Sequence, residues 1–203
     1  MAGIDGGILF SPDPLRDWTQ QIFRKLGVGE EDALLLTDSL IEANLRGVDT
    51  HGITRVLCVY AERIRRGVVN PESRFTVLRE KASTALIDCH NSIGQIGAAK
   101  AMRMAIEKAR RTGVAFTAVT HSNHYGMAAY WAMMALSQGM IGFSSTNAPA
   151  AAAPSGGRTA MFGTNPFAVA VPAGRELPVV LDLATTVVAR GRIILHAKED
   201  KPL

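Results

Sequence analysis

Gly27, Gly47 and Gly67 each close a segment of helical length in which apolar residues recur every three or four positions. A chain punctuated in this way begins as a helical layer. The segment "SPDPLRDWTQQIFRKLGV" opens with Ser11 or Asp13 as cap and Pro14 in the first turn, and Gly27 stops it. "GEEDALLLTDSLIEANLRG" starts with acids that suit the positive end of a helix dipole, and "ITRVLCVYAERIRRG" ends with bases that suit the negative end. After "VVNPES" the period shortens. "RFTVLRE" and "STALIDC" read as strands, "GQIGAAKAMRMAIEKARRTG" as an amphipathic helix and "VAFTAVT" as a strand. "GMAAYWAMMALSQG" follows as a helix, then "MIGFSST", "PFAVAVP" and "PVVLDLA" as strands, and "TVVARGRIILHAKE" as a closing helix. The expected class is α/β, with a helical domain over 1–72 and an α/β domain over 73–203.

The composition supports a globular chain. Its 203 residues suffice for a sizeable core, and 47% hydrophobic with 20% charged residues is far from the profile of a disordered chain. Cys58 and Cys89 lack a CxxC spacing, so a reducing cytoplasm is expected rather than a disulfide framework. The N-terminus lacks a basic stretch followed by a long apolar one, and no run of about 18 apolar residues occurs. Secretion and membrane insertion are therefore not expected. The net charge of +4 raises the question of nucleic acid. The bases gather at "ERIRRG" and "EKARRTG", where helix ends account for them.

Four clusters carry side chains suited to chemistry. In "RGVDTHGITR", a cap at Asp49 or Thr50 puts His51 at a helix start and Arg55 four residues on, along the same face. A guanidinium grips a carboxylate with two parallel hydrogen bonds, and an imidazole beside it can give or take a proton near neutral pH. That pairing suits a 2-hydroxy or 2-oxo acid. A purely local role for His51, in capping or packing, satisfies the same spacing.

The second cluster, "THSNHYGMAAYW", lies between a strand and a helix, where free backbone N–H groups favour an anion. His121 and His124 stand three apart, ahead of Gly126. They read as a ligand-facing His124, as a structural pair or, more weakly, as part of a zinc site lacking its third ligand. In "GTNPFAVAVP", Gly163 permits close backbone approach while Thr164 and Asn165 offer neutral hydrogen bonds, although a plain turn has the same composition. In "VLDLATT", Asp182 ends an apolar strand ahead of Leu183 and Ala184. It suits either a ribose or histidine contact or the cap of a helix.

Several common architectures are disfavoured. "GQIGAAKA" has the wrong spacing for the GxGxxG fingerprint and falls on a helix, and neither a GxxxxGK[ST] loop nor a GxSxG elbow is present.

In this order, "RGVDTHGITR", "SNHYGMAAYW", "GTNPFAVAVP" and "VLDLATT" followed by "ARGRI" resemble the malate/L-lactate dehydrogenase family that is unrelated to the Rossmann-type lactate dehydrogenases. The resemblance runs from about Leu15 to the last residue and includes ureidoglycolate, sulfolactate and diketogulonate enzymes and a cyclic-imine carboxylate reductase. It implies NAD or NADP chemistry on small 2-hydroxy or 2-oxo acids. His51 would be the catalytic acid/base with Thr50 beside it, and Arg55 would bind the substrate carboxylate. His124 would lie where substrate and cofactor meet, while Gly126, Thr164, Asn165, Asp182, Leu183 and Ala184 would line the cofactor side. It implies a helical domain, a non-Rossmann α/β cofactor domain with a mixed sheet, and a homodimer. Some members carry an acidic residue at the place of Arg192, so a relay role there does not transfer. The resemblance also implies that the C-terminal part of the family fold is missing. A catalytically silent relative, serving as a dimerisation or ligand-binding module, is the alternative.

Overall fold

The computed structural model describes residues 9–187 together with Ile193, His196 and Ala197. Three helices come first, α1 (Pro12–Lys25), α2 (Glu30–Leu45) and α3 (Ile53–Arg65). Proline in the first turn suits α1, because its missing N–H would have had no helical partner there. Ser11 occupies the cap position with extended backbone, yet its side chain makes no capping bond. Gly27, Gly47 and Gly67 all have positive φ, the left-handed conformation that turns the chain away after a helix.

The strands then appear as the change of period predicts. β1 (Thr76–Glu80) and β2 (Thr84–Asp88) pair antiparallel; α4 (Gly94–Thr112) crosses over, and β3 (Phe116–Thr120) pairs parallel to β2. This first sheet is mixed, in the order β1-β2-β3. The short helix α5 (Ala128–Met133) leads to a second, antiparallel sheet of β4 (Gly142–Ser145), β5 (Phe167–Val171) and β6 (Val179–Leu183). The architecture is α/β, as expected. The closing helix expected over "TVVARGRIILHAKE" lies largely outside the described residues.

α5 is shorter than its apolar run suggests. Its last turns tighten, with Met134 and Ala135 bonding back to Trp131 and Ala132, and a separate 3-10 turn covers Leu136–Gln138. The second sheet explains the interruption. A Cβ at Gly142 would sit 1.9 Å from the Ala132 carbonyl oxygen, so the start of β4 lies directly against the end of α5.

Three cores hold these elements. Phe23, Leu36, Leu40, Leu57 and Ile64 meet Ile93 and Ile96 at the start of α4. The second core is built of small residues, with Ala43 of α2 against Ala128, Ala129 and Ala132 of α5 and Ala168 and Ala170 of β5. Alanines on both sides let α5 lie close to the sheet, and larger side chains there would force it away. Ile87, Cys89 and Ala101 form the third core between the first sheet and α4. α2 thus belongs to two cores: Ala33, Leu36, Thr37, Leu40 and Ala43 make one buried face, and buried Ser39 and Ile41 widen it on either side.

Candidate active site

His51 is presented by a 3-10 turn over Asp49–His51, ahead of α3 rather than within its first turn. This corrects the sequence-based placement, in which Asp49 or Thr50 caps the helix. Gly52 holds the cap position, and the capping side chain comes from another helix. Asn44, near the end of α2, accepts the Ile53 N–H at 2.8 Å and donates to Asp49 at 2.5 Å. A Cβ at Gly52 would lie 2.2 Å from the Asn44 amide oxygen, so glycine is required for the side chain to reach the helix end. One amide therefore closes α3 and holds the turn that carries His51.

Across from it, His124 sits in the loop after β3. The two imidazole rings are 5.5 Å apart between centroids with 9° between their planes. Each ring is fixed from its own side. Thr50 Oγ1 is 2.9 Å from His51 Nδ1, and the Tyr60 hydroxyl is 2.6 Å from His124 Nδ1. The Gly126 N–H also donates to that nitrogen, at 3.4 Å. Burial pushes the Tyr60 phenol well above its ordinary pKa, against smaller opposing effects from Gln95 and Arg63, so it stays protonated.

The loop bearing His124 is strapped down by Asn123. Its amide donates to the Asn91 and Ser92 carbonyls at 3.1 and 3.0 Å and accepts from Arg63 at 2.9 Å. A small cavity beside these groups is lined by Tyr60, Arg63, Ile64, Gly94, Asn123 and His124.

The two histidines of the HxxH spacing do not converge. His121 points its Nδ1 to Asp88 at 2.9 Å, whereas His124 engages Tyr60. His51 and His124 are no better placed to share a metal. Ligand lone pairs lie in the imidazole plane, and two nearly parallel stacked planes do not direct them to one point.

The third and fourth clusters meet each other and join the second. Thr185 donates to the Thr164 carbonyl through its N–H at 2.9 Å and its hydroxyl at 3.1 Å. Asn165 takes a positive φ of 34°, tolerable for asparagine, and its amide oxygen accepts the Ala148 N–H at 2.9 Å. Asp182, near the end of β6, accepts the Ala129 N–H at 2.8 Å. That bond is a helix-capping contact, supplied across the fold rather than from the residue before α5. It also occupies an N–H that the sequence reading leaves open to an anion. Partial burial raises the Asp182 pKa, and the Ala129 N–H works against the rise. Leu183 ends β6, and Ala184 leads on to Thr185.

A chain of contacts therefore runs from His51 to His124, through Gly126 to Ala129 and Asp182, and on to Thr185 and Thr164. Four motifs spread between Arg46 and Thr186 form one neighbourhood, and the sequence profile of the Malate/L-lactate dehydrogenase family matches residues 10–203. The chain belongs to the malate/L-lactate dehydrogenase family.

Among curated members of the family, the malate dehydrogenase of Pyrococcus abyssi is 43% identical over 191 residues, covering 94% of this chain and 52% of the relative. The L-sulfolactate dehydrogenase of Methanocaldococcus jannaschii is 37% identical over 187 residues, covering 92% and 54%. In three dimensions, the malate dehydrogenase of Pyrococcus horikoshii OT3 superposes with a TM-score of 0.88 at 43% identity, covering 92% of this chain and 53% of that one. The malate dehydrogenase of Entamoeba histolytica gives 0.92 at 36% identity, covering 96% and 54%. The chain spans about half the length of the curated relatives it matches.

The sequence reading of this family member misses Asn44, Tyr60 and Gln95. Gln95 Nε2 donates to the Tyr60 hydroxyl at 2.7 Å from a fully buried position. One signal was available for it: a lone amide four residues before Ala99, on the buried side of an amphipathic helix, needs a polar partner. Asn44 and Tyr60 carry no comparable signal, because nothing in a helix pattern separates a capping or bonding side chain from a packing one. Arg55 lies within α3, and its side chain is outside the described residues, as is Arg192.

Proposed function

We propose that the chain carries the catalytic histidine of an NAD- or NADP-dependent oxidoreductase that moves a hydride between nicotinamide and a small 2-hydroxy or 2-oxo acid such as malate or lactate. One observation carries the reading. His51 and His124 stand ring to ring, each with a hydroxyl at its Nδ1, so both rings are oriented before any ligand binds. Relatives named malate, L-sulfolactate and hydroxycarboxylate dehydrogenases support a hydroxy-acid substrate.

The donor set suits a nicotinamide and an organic acid. The neighbourhood offers flat imidazoles, small residues at Gly126 and Ala184, and neutral hydrogen bonders at Thr50, Thr164 and Asn165. A planar ring with an amide needs surfaces and neutral partners of that kind. Gly126, Thr164, Asn165, Asp182, Leu183 and Ala184 would hold the dinucleotide, which supplies or accepts the hydride when bound.

The protein's own residues handle the proton and the carboxylate. In the reductive direction His51 protonates the oxygen on the substrate's 2-carbon, and in the oxidative direction the neutral ring takes that proton back. Thr50 holds the ring in place during both transfers. Arg55 grips the substrate carboxylate and fixes which face of the 2-carbon is presented. His124 bonds an oxygen of the bound acid where substrate and cofactor meet.

The remaining expectations stand as parts of the same proposal. The chain divides into a helical domain over 1–72 and a cofactor-binding domain over 73–203, works as a homodimer and resides in the cytoplasm. Cys58 and Cys89, both unpaired thiols, support a reducing compartment. No helix among the described residues is long and apolar enough to cross a membrane.

A second reading, a catalytically silent relative that serves as a dimerisation or ligand-binding module, is favoured by the outer face of the second sheet. Phe143, Val179 and Leu181 are about half exposed or more there, an apolar surface that a partner would cover.

The test is NADH and NADPH oxidation by the purified chain against a panel of 2-oxo acids, with His51→Ala alongside. The proposal expects turnover that falls on the order of 10²- to 10⁴-fold in the variant, and full activity in His51→Ala overturns it. Dinucleotide binding without turnover selects the silent relative.

A further inference from the structure

Gln95 lies in the interior, fully buried at the start of α4. It reaches the site because Gly94 lets the helix end dock under the loop of His124. A Cβ at Gly94 would be 2.1 Å from the Asn123 carbonyl oxygen and 2.4 Å from that of His124. From there the Gln95 amide meets the Tyr60 hydroxyl, which meets His124 Nδ1.

The direction of this chain of hydrogen bonds follows from the buried Gln95 amide, and the Gly126 N–H, a long contact at 3.4 Å, agrees with it. A backbone N–H can only donate, and the Gly126 N–H is directed at His124 Nδ1. A contact of that length favours an accepting Nδ1 without fixing it. With Nδ1 accepting, the Tyr60 hydroxyl donates its single hydrogen to the same nitrogen and itself accepts from Gln95, which requires the amide to turn its NH₂ toward the phenol. In that orientation Gln95 Oε1 is buried without a partner. The opposite orientation would bury two unmatched N–H donors and set an Nδ1–H against the Gly126 N–H, which is worse on both counts.

An imidazole that accepts at Nδ1 and is neutral carries its proton on Nε2. His124 is exposed, while its Nδ1 edge is turned inward to buried Tyr60. We infer that Gln95 and Tyr60 are positioning residues that hold His124 as the Nε2–H tautomer, so that the ring stacked on His51 offers a donor to an oxygen of the bound acid. The use of that donor rests on the dehydrogenase reading, whereas the tautomer itself does not.

This division shapes the test. Nitrogen-15 NMR of histidine-labelled protein at about pH 7.5, near the neutral side of an ordinary imidazole, reads the protonation of each ring nitrogen without turnover. The His124 signals are assigned by their loss in His124→Gln. The inference expects an unprotonated Nδ1 and a protonated Nε2 in the native protein. Tyr60→Phe, which removes the directing hydroxyl, should yield a mixture of tautomers. Gln95→Glu should go further and move the proton to Nδ1, because the introduced carboxylate can only accept, which reverses the phenol. A role in packing alone would not move the tautomer at all.

A protonated Nδ1 in the native protein overturns the inference, and this measurement stands even where a variant fails to fold. An unchanged tautomer in folded Tyr60→Phe and Gln95→Glu overturns it as well. In an active preparation, Tyr60→Phe should lower kcat/KM on the order of tenfold. Absence of turnover in the native chain would count against the dehydrogenase reading and leave the tautomer result to decide the inference.

Discussion

Asn44 accepts the Ile53 N–H at 2.8 Å and so caps a helix of which it is not a part. The same side chain donates to Asp49, two residues before His51. Stability and site geometry are joined in one amide. Replacing it by alanine should cost about 1 kcal/mol, the usual value of an N-cap bond. It should also loosen the turn of His51. Denaturant unfolding checks the first effect, and in an active preparation kcat at saturating substrate checks the second. Asn44→Asp keeps the acceptor and should recover part of the stability, although its new charge faces Asp49.

Gly94→Ala tests the contact between α4 and the loop of His124. The added Cβ would strike backbone carbonyls at 2.1 and 2.4 Å, and backbone cannot swing aside as a side-chain tip can. About 1 to 3 kcal/mol should be lost, the usual cost of forcing atoms into a packed site. Gly113→Ala, at the C-cap just past the same helix, serves as a control: nothing lies within 4 Å of its Cβ, and its penalty comes from a positive φ alone. Urea unfolding compares the two, and only Gly94→Ala should also shift the tautomer of His124.

Asp88 ends β2 and Asp182 stands one residue before the end of β6, and their contributions to stability change with pH in opposite senses. Asp88 is held below the ordinary carboxylate pKa, first by the His90 N–H and then by His121. Its contribution is present above the unfolded pKa and is lost as pH falls through the lower, folded value. Asp182 is raised, chiefly by burial. Its folded form binds the proton more tightly, so its contribution is fully present below the unfolded pKa and is lost as pH rises through the folded one. Unfolding curves from about pH 3 to 7, spanning the carboxylate range, should separate them. Asp88→Asn should remove part of the loss on the acid side, and Asp182→Asn should remove part of the loss on the rising side.

The two thiols should differ in reactivity. Cys58 is exposed on α3, whereas Cys89 is buried and its pKa is pushed up to about 11 by burial and by neighbouring Asp88. A Cβ at Gly97 would lie 2.7 Å from its sulfur, a sign of how closely α4 covers it. Since the thiolate is the reacting form, a disulfide reagent should label one thiol in the native protein and the second after unfolding. Equal native labelling of both would contradict this burial.

Helix stops and the change to strands were legible because each depends on a few neighbouring residues. Gly27, Gly47 and Gly67 end helices wherever the chain places them, and the alternation in "PFAVAVP" gives the two faces of a strand. The end of α5 was not legible, since it is imposed by Gly142 of β4 rather than by its own sequence. The candidate site divides in the same way. His51, His124 and Asp182 stand in motifs that can be read along the chain. Tyr60 and Gln95 acquire their partners across 64 and 35 residues, and Asn44 caps a helix nine residues on. No local pattern encodes such meetings, which arise only when the cores assemble.

α2 contributes Leu36 and Leu40 to one core, Ala43 to another and Asn44 to the turn of His51. It therefore works as a common axle, on which both cores and the imidazole keep their registration. A slight roll of that helix would repack two interiors and re-aim the His51 imidazole at once, so that ring inherits the rigidity of a segment anchored in two cores rather than that of the turn on which it sits.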